Sequence, residues 1–190
     1  LLQIQSARPD VVIATNSGND AVSMIKQSGE FGILDAGKPV IVPMVFSLTD
    51  VEALGLDVPQ NLRAPIPFYW DRDEESREWS KKFQAKFGKM PTYFQAAVYS
   101  TTSNYLKAVE KAGTKDAKTA IKTLKSMDIS DFFAQNAHVR EDGQMVHDMY
   151  LVRVKTPEES KGDYDFFEIV ATIPGEEAYQ PMDPSTCKLV

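Results

Sequence analysis

The sequence predicts an α/β protein, and three stretches predict it. Residues 9–46, PDVVIATNSGNDAVSMIKQSGEFGILDAGKPVIVPMVF, read as strand, polar tip, helix and strand, which is one βαβ unit. Residues 74–126 carry three successive helical patterns, and residues 136–155 flank a Glu141-Asp142-Gly143 turn as a hairpin does.

Within the βαβ unit, Val11 to Ala14 is a short apolar run, the pattern of a parallel strand buried on both faces. Asn16-Ser17-Gly18-Asn19-Asp20 supplies turn formers and an N-cap, which places acceptors where a new helix has unpaired N–H groups. Ala21, Val22, Ile25, Ser28 and Gly29 follow at helical spacing, and Phe31-Gly32 closes the helix. Val40 to Val45 is the second strand, and Phe46 to Asp50 leads into another turn. In open α/β sheets ligands sit at the carboxyl ends of such strands, so the tips Thr15–Asp20 and Met44–Asp50 are the expected binding site.

Further along, Asp50 to Leu54 reads as a short helix, and LRAPIP (62–67) is extended because two prolines bias their neighbours toward β geometry. The aromatic triplet Phe68-Tyr69-Trp70 precedes an acidic helix start at Asp71 or Asp73. Trp79, Phe83 and Phe87 recur every four residues, giving helix 74–87 one apolar face that ends at Gly88. Thr92 opens the longest helix, with Phe94, Val98, Thr101, Tyr105 and Val109 as its expected buried stripe and Gly113 as its stop. A third helix near 116–126 puts Ala117, Ala120, Ile121 and Leu124 on one side. Three amphipathic helices in a row predict that this region covers a sheet face. Strand 145–155 and the aromatic, β-branched run 164–173 complete the elements before an irregular tail.

The 190 residues can bury a sizeable core in one or two domains, and 43% hydrophobic with 25% charged residues is an ordinary globular composition. A net charge of −6 with no basic run argues against nucleic acid or an anionic membrane as partner. No apolar run approaches the roughly 20 residues that span a bilayer, so direct membrane insertion is not expected. The chain starts at Leu1 in what looks like the tail of a helix, so a fragment or processed chain is expected. Cys187 is the only cysteine, either a stray thiol or the partner of a cysteine outside this sequence.

Catalytic motifs are missing: there is no GxSxG, Walker or GxGxxG sequence, and Ser17 has no histidine within local reach. Glu74, Glu75 and Glu78 read as a solvated helix face. A two-residue loop at Asp142-Gly143 would pair His138 with His147 across the hairpin and bring Glu141 or Asp148 near, whereas a three-residue loop breaks that register. Two ligands do not make a zinc site, so neither metal nor cofactor is expected. The Phe68-Tyr69-Trp70 triplet is either packing or the lining of a cleft.

In PDVVIATNSGNDAVSMIKQ, FGILDAGKPVIVPMVF, FGKMPTYFQAAVYSTTSNYLKAVEKAG and VREDGQMVHDMYLVRVK, the chain resembles the second half of ABC-transporter substrate-binding proteins of the branched-chain amino acid (leucine/isoleucine/valine) family. The resemblance spans nearly all 190 residues. It implies the periplasmic binding protein type I fold: two Rossmann-like lobes joined by three crossovers, with ligand held in the cleft by hinge closure. On that template residues 1–64 are part of the distal lobe, 65–148 a hinge crossover (Pro65–Tyr69) and part of the proximal lobe, and 149–190 the return to the distal lobe and the tail. The proximal elements that bind the amino acid carboxylate in this family are expected to lie outside the chain.

The implied ligand-binding residues are Asn16, Ser17, Gly18, Asn19, Asp20, Met44, Phe46, Tyr69 and Trp70. One departure matters. The family's amino acid binders carry a carboxylate at the second tip to meet the ligand ammonium, and here that stretch is VPMVFSL, with Met44 or Phe46 in its place. An uncompensated ammonium there would be costly. Asp20 is either a substitute charge partner or simply a helix-start carboxylate. The expected ligand is therefore an aromatic or other small carboxylate.

The leading expectation is a periplasmic, exported, non-enzymatic solute receptor that takes up a small molecule and delivers it to an ABC permease complex. The alternative is the extracellular sensing domain of a signalling receptor, and an α/β enzyme ranks below both. Cutting a doubly wound lobe leaves strand edges and apolar helix faces uncovered, so the fragment is expected to self-associate.

Overall fold

Residues 1–34, 39–60 and 62–185 are described by the computed structural model; Cys187, and with it the question of its partner, lies outside them. The chain divides into two units, one formed by Leu1–Ile66 with Tyr150–Thr172 and the other by Pro67–Met149 with Ile173–Val190.

The first unit begins with helix α1 (Leu2–Ala7) and strand β1 (Val11–Ala14). Helix α2 (Gly18–Glu30) then crosses to β2 (Val40–Pro43), which lies parallel to β1 in the register Val11↔Val40 to Ala14↔Pro43. This is the βαβ unit read from the sequence, and α2 buries the expected Ala21, Ile25 and Ser28. Helix α3 (Leu48–Leu54) leads to β3 (Arg63–Ile66). A three-stranded sheet runs in the order β3, β6 (Met149–Val154), β7 (Phe167–Ile173), with β6 antiparallel to β3. Ile25, Ile41, Phe46, Val51, Leu62, Ile66, Val152 and Val154 are fully buried in this unit. Each such side chain contributes roughly 1.5–3 kcal/mol relative to leaving it in water.

The β1 run is not covered on both sides as its composition predicts. Val11 and Ile13 are 53% and 65% exposed while Ala14 is buried. Alternate residues of a strand face opposite ways, so one face of β1 is covered and nothing among the described residues covers the other. On the central strand β6, Arg153 pairs with Glu159 at 2.8 Å and Glu168 at 2.5 Å, and the guanidinium holds the Glu159 carboxyl down at about 2.

The second unit contains helices α4 (Glu74–Phe87), α5 (Tyr93–Ala112) and α6 (Ala117–Lys125), each opened by a side-chain cap. The Asp73 carboxylate accepts from the Ser76 N–H at 2.8 Å, the Thr92 hydroxyl from the Phe94 N–H at 3.2 Å, and Asp116 from the Thr119 N–H at 2.9 Å. Gly88 and Gly113 close α4 and α5 as read from the sequence. Strands β4 (His138–Val139) and β5 (Met145–Val146) form a two-residue hairpin pair, and α7 (Gly175–Ala178) follows the last crossing.

Two expectations fail here, for related reasons. The stripe Phe94/Val98 of α5 is 53% and 67% exposed, and the buried face is Ala96, Ser100, Asn104 and Ala108. Small side chains on that face let the helix approach its neighbours closely. The Asp131 carboxylate satisfies the two polar ones, accepting from Ser100 Oγ at 2.7 Å and Asn104 Nδ2 at 2.8 Å. The helices also do not cover a sheet: among the described residues of this unit the only strands are β4 and β5. Instead they enclose an aromatic cluster of Phe68, Ala96, Ile129, Phe133, Ala134 and Ala137, against which Trp70, Trp79 and Phe132 pack. Trp79 and Phe132 stack at 4.1 Å with planes 9° apart. Of the predicted α6 face, Ala120 is buried but Ile121 is 42% exposed.

Candidate functional site

The parallel pairing of β1 and β2 brings the two predicted tips side by side in the first unit. The Met44 N–H donates to the Ala14 carbonyl at 2.9 Å, so the second tip starts level with the end of β1. Asn16 to Asp20 form the first tip. Ser17 is the N-cap of α2 in extended conformation (φ −141°), yet no side chain caps the helix. Gly18 has φ +56°, with open space where a Cβ would sit, so backbone conformation rather than crowding selects glycine there. Asp20 lies exposed in the first helical turn, where a carboxylate interacts favourably with the helix dipole.

The second tip is built differently. Met44 is 45% exposed. Phe46, expected to line the tip, is fully buried instead and packs on Phe167 with ring centroids 6.3 Å apart; its ring supports the tip from within the core. Asp50 is engaged locally, its Oδ2 accepting from the Ser47 N–H at 2.7 Å and the Ser47 hydroxyl at 2.8 Å. That cap secures the start of α3, and the Ser-x-x-Asp spacing at 47–50 is its sequence signal. Adjacent helix starts thus differ: α3 is closed by its own carboxylate, while among the described residues no side-chain cap bond is made at the start of α2.

Tyr69 and Trp70 belong to the second unit. Tyr69 is only 4% exposed, and Trp70 packs on the aromatic cluster beside it at 5.8 Å between centroids.

The hairpin takes the three-residue loop. His138 pairs with Val146 and Val139 with Met145, so the two histidines are not opposite each other, which removes the cross-strand pairing considered for zinc. Among the described residues no three His, Cys, Asp or Glu side chains converge on a metal-sized site. His147 has a different environment: Nδ1 lies 2.8 Å from the Asp148 carbonyl, Nε2 2.8 Å from the Tyr179 hydroxyl, and the Phe133 ring packs edge-on. Burial pushes the imidazole below its ordinary value, more than Asp148 raises it, and the Arg72 charge adds to the depression. The unfolded chain therefore binds a proton that the folded protein resists, and stability is lost as pH falls below the ordinary histidine value of about 6.5. Urea midpoints measured at pH 8 and pH 5.5 should differ less in His147→Gln than in the parent; an unchanged difference would place the effect elsewhere.

The start of α2, where no side-chain cap bond is made, lies at the carboxyl end of a parallel strand, where backbone N–H groups suit an oxygen acceptor. The family described as "Periplasmic binding protein" matches residues 1–163. A crystal structure of a periplasmic binding protein from Burkholderia mallei is 44% identical, with TM-score 0.87, over 94% of this chain and 47% of that one. A branched chain amino acid ABC transporter periplasmic ligand-binding protein from Burkholderia xenovorans LB400 is 38% identical, with TM-score 0.87, over 98% of this chain and 49% of the other. A solute binding protein of an ABC transporter from Rhodopseudomonas palustris BisB5, solved in complex with 3,4-dihydroxy benzoic acid, shares the fold at 17% identity and TM-score 0.72, over 92% of this chain and 47% of that one. A comparison with curated protein sequences found no significant match. The chain belongs to the periplasmic binding protein family, with its type I fold, and spans about half the length of the relatives it matches. Members of the family are non-enzymatic binding proteins. Among the described residues no helix is long and apolar enough to cross a membrane.

Proposed function

We propose that the chain is part of the periplasmic solute-binding component of an ABC import system, and that its ligand is an aromatic or other small organic carboxylate. The observation that carries this reading is the contrast between the two tips. At the second tip the half-exposed Met44 and the buried Phe46 occupy the stretch where the family resemblance implies an acidic residue for a ligand ammonium, and Asp50 is committed to Ser47. At the first tip the α2 start offers backbone N–H groups that no side chain caps, together with Ser17 and Asn19 as exposed polar neighbours. Donors at a helix start favour oxygen acceptors and negative charge. An aliphatic amino acid would leave its ammonium without a partner at the second tip.

The Burkholderia xenovorans relative carries a branched-chain amino acid name, which supports the transport role and not the ligand chosen here. The same family membership supports delivery to a permease complex and location in the periplasm.

Calorimetric titration of the full-length protein distinguishes the ligands. Benzoate or a hydroxylated benzoate should bind with a Kd in the micromolar range or below, on the order of −8 kcal/mol. Leucine should bind at least roughly 100-fold more weakly, the factor about 2.7 kcal/mol of unpaired charge produces. Tight leucine binding would overturn the reading.

A further inference from the structure

Of the chain's seven methionines, Met24, Met90, Met127, Met145 and Met149 are half-buried, and Met44 (45%) and Met182 (47%) are exposed. The two exposed thioethers have different settings. Met182 lies on the tail after α7, in the second unit. Met44 follows the last residue of β2, and its N–H is tied to the Ala14 carbonyl at 2.9 Å. Its side chain therefore leaves the backbone at a fixed point of the second tip, between the buried Pro43 and the buried Phe46. The other exposed side chains at the two tips are those of Thr15, Ser17, Asn19, Asp20 and Thr49, which are hydroxyls, an amide and a carboxylate. None of these is a target of peroxide. The Met44 sulfur is the one readily oxidised group that the tips expose.

We infer that Met44 is an oxidation switch of the solute site: conversion of its thioether to the sulfoxide turns the apolar second tip polar and weakens binding of the carboxylate solute. Hydrogen peroxide is the oxidant. A sulfur lone pair attacks one peroxide oxygen, the S–O bond forms as the O–O bond breaks, and the leaving hydroxide takes the proton from the transferred oxygen. The products are the sulfoxide and water; sulfur gives up two electrons and the peroxide gains them. A dithiol reductant reverses the change, yielding the thioether, water and a disulfide. The sulfoxide oxygen carries partial negative charge. Beside a bound carboxylate it replaces an apolar contact with repulsion and with the cost of desolvating a polar group. A bound solute in turn shields the sulfur. The switch rests on the solute site and ligand class proposed above.

The test uses the full-length protein, hydrogen peroxide and benzoate. Peptide mass spectrometry should find the sulfoxide at Met44 ahead of the five half-buried methionines, and saturating benzoate should slow Met44 by at least roughly tenfold without touching Met182. Calorimetry of the oxidised protein should show the benzoate Kd raised by roughly tenfold or more, and methionine sulfoxide reductase with dithiothreitol should restore it. Met44→Gln, which places a polar group of similar size at the tip, should bind benzoate weakly with no oxidant present. Met44→Leu sets its own starting Kd, but that value should not change on peroxide treatment, although Cys187, which peroxide also attacks, is still there. Met182→Leu should keep the parent's loss. Four results would overturn the switch alone: Met44 oxidising no faster than the half-buried methionines, oxidation of Met44 indifferent to benzoate, benzoate binding unchanged after complete oxidation of Met44, or a loss that persists in Met44→Leu. A reduced, full-length protein that does not bind benzoate overturns the ligand reading, and the switch with it.

Discussion

Replacing Asp131 by alanine should lower the unfolding free energy by about 3–4 kcal/mol, the cost expected when several buried donors lose their acceptor together. The carboxylate accepts four hydrogen bonds: Oδ2 from Ser100 Oγ (2.7 Å) and Asn104 Nδ2 (2.8 Å), and Oδ1 from the N–H groups of Phe133 (2.9 Å) and Ala134 (3.1 Å). Ser100 and Asn104 are 1% and 4% exposed, so water does not readily replace the lost oxygen. The same contacts hold the turn that seats Phe133 in the aromatic cluster, where it stacks on Phe68 at 6.0 Å. For a chain of this size the loss corresponds to a fall in Tm of roughly 6–16 °C. Asp131→Asn keeps the shape but can direct its oxygen at only one pair of donors, so it should cost about half as much, at roughly 1 kcal/mol per lost bond. Differential scanning calorimetry of the three proteins checks the order. A fall under about 1 kcal/mol for the alanine variant would mean that the network contributes little.

That network also marks the boundary of what the sequence made legible. Periodicity and caps located most elements closely: the βαβ unit, helix 74–87, whose cap is Asp73 of the two candidates Asp71 and Asp73, and the Thr92 start of the long helix. Local signals suffice there because a cap or a glycine stop acts within one turn. The buried face of α5 was not legible. A helical pattern says which residues share a side, and the larger, more apolar side of α5 reads as the buried one. The structure buries the small and polar side instead, because its partner is Asp131, some 30 positions away and invisible to any local window. The choice between two- and three-residue loops at Glu141-Asp142-Gly143 stayed open in the sequence for a similar reason: one residue of loop length moves every cross-strand partner.

At the site, the two tips were readable as places, because parallel strands and helix starts put ligands at strand carboxyl ends. Their individual side chains were not. Met44 and Phe46 would share a face if the strand ran on through Val45, but β2 ends at Pro43, so strand alternation no longer decides which faces the core; packing with Phe167 from β7 decides it for Phe46. The absence of a cap on α2, although Ser17 occupies the capping position, likewise depends on a side-chain rotamer that no sequence pattern specifies.

Gly175→Ala should destabilise the protein by about 2–3 kcal/mol, because a methyl group here meets backbone and not a yielding side chain. A Cβ at this position would lie 2.9 Å from the His147 carbonyl carbon, 3.0 Å from its oxygen and 3.0 Å from Val146 Cγ1. The Gly175 N–H also donates to Asp148 Oδ1 at 3.0 Å, so the first residue of α7 is fixed from both sides. Relief of the clash would have to stretch that bond or shift the His147 backbone, and either movement disturbs the Tyr179 contact at Nε2. Two measurements separate these outcomes. If the backbone shifts, the His147 imidazole regains water, its titration moves back up toward its ordinary value, and part of its acid sensitivity disappears along with the stability. If the loop absorbs the methyl group without moving His147, the titration stays depressed and the loss in urea falls below about 1 kcal/mol. The first outcome is expected, since His147 is held through its own backbone, its ring and its neighbour Asp148 at once, and a methyl pressed against that carbonyl has nowhere else to go.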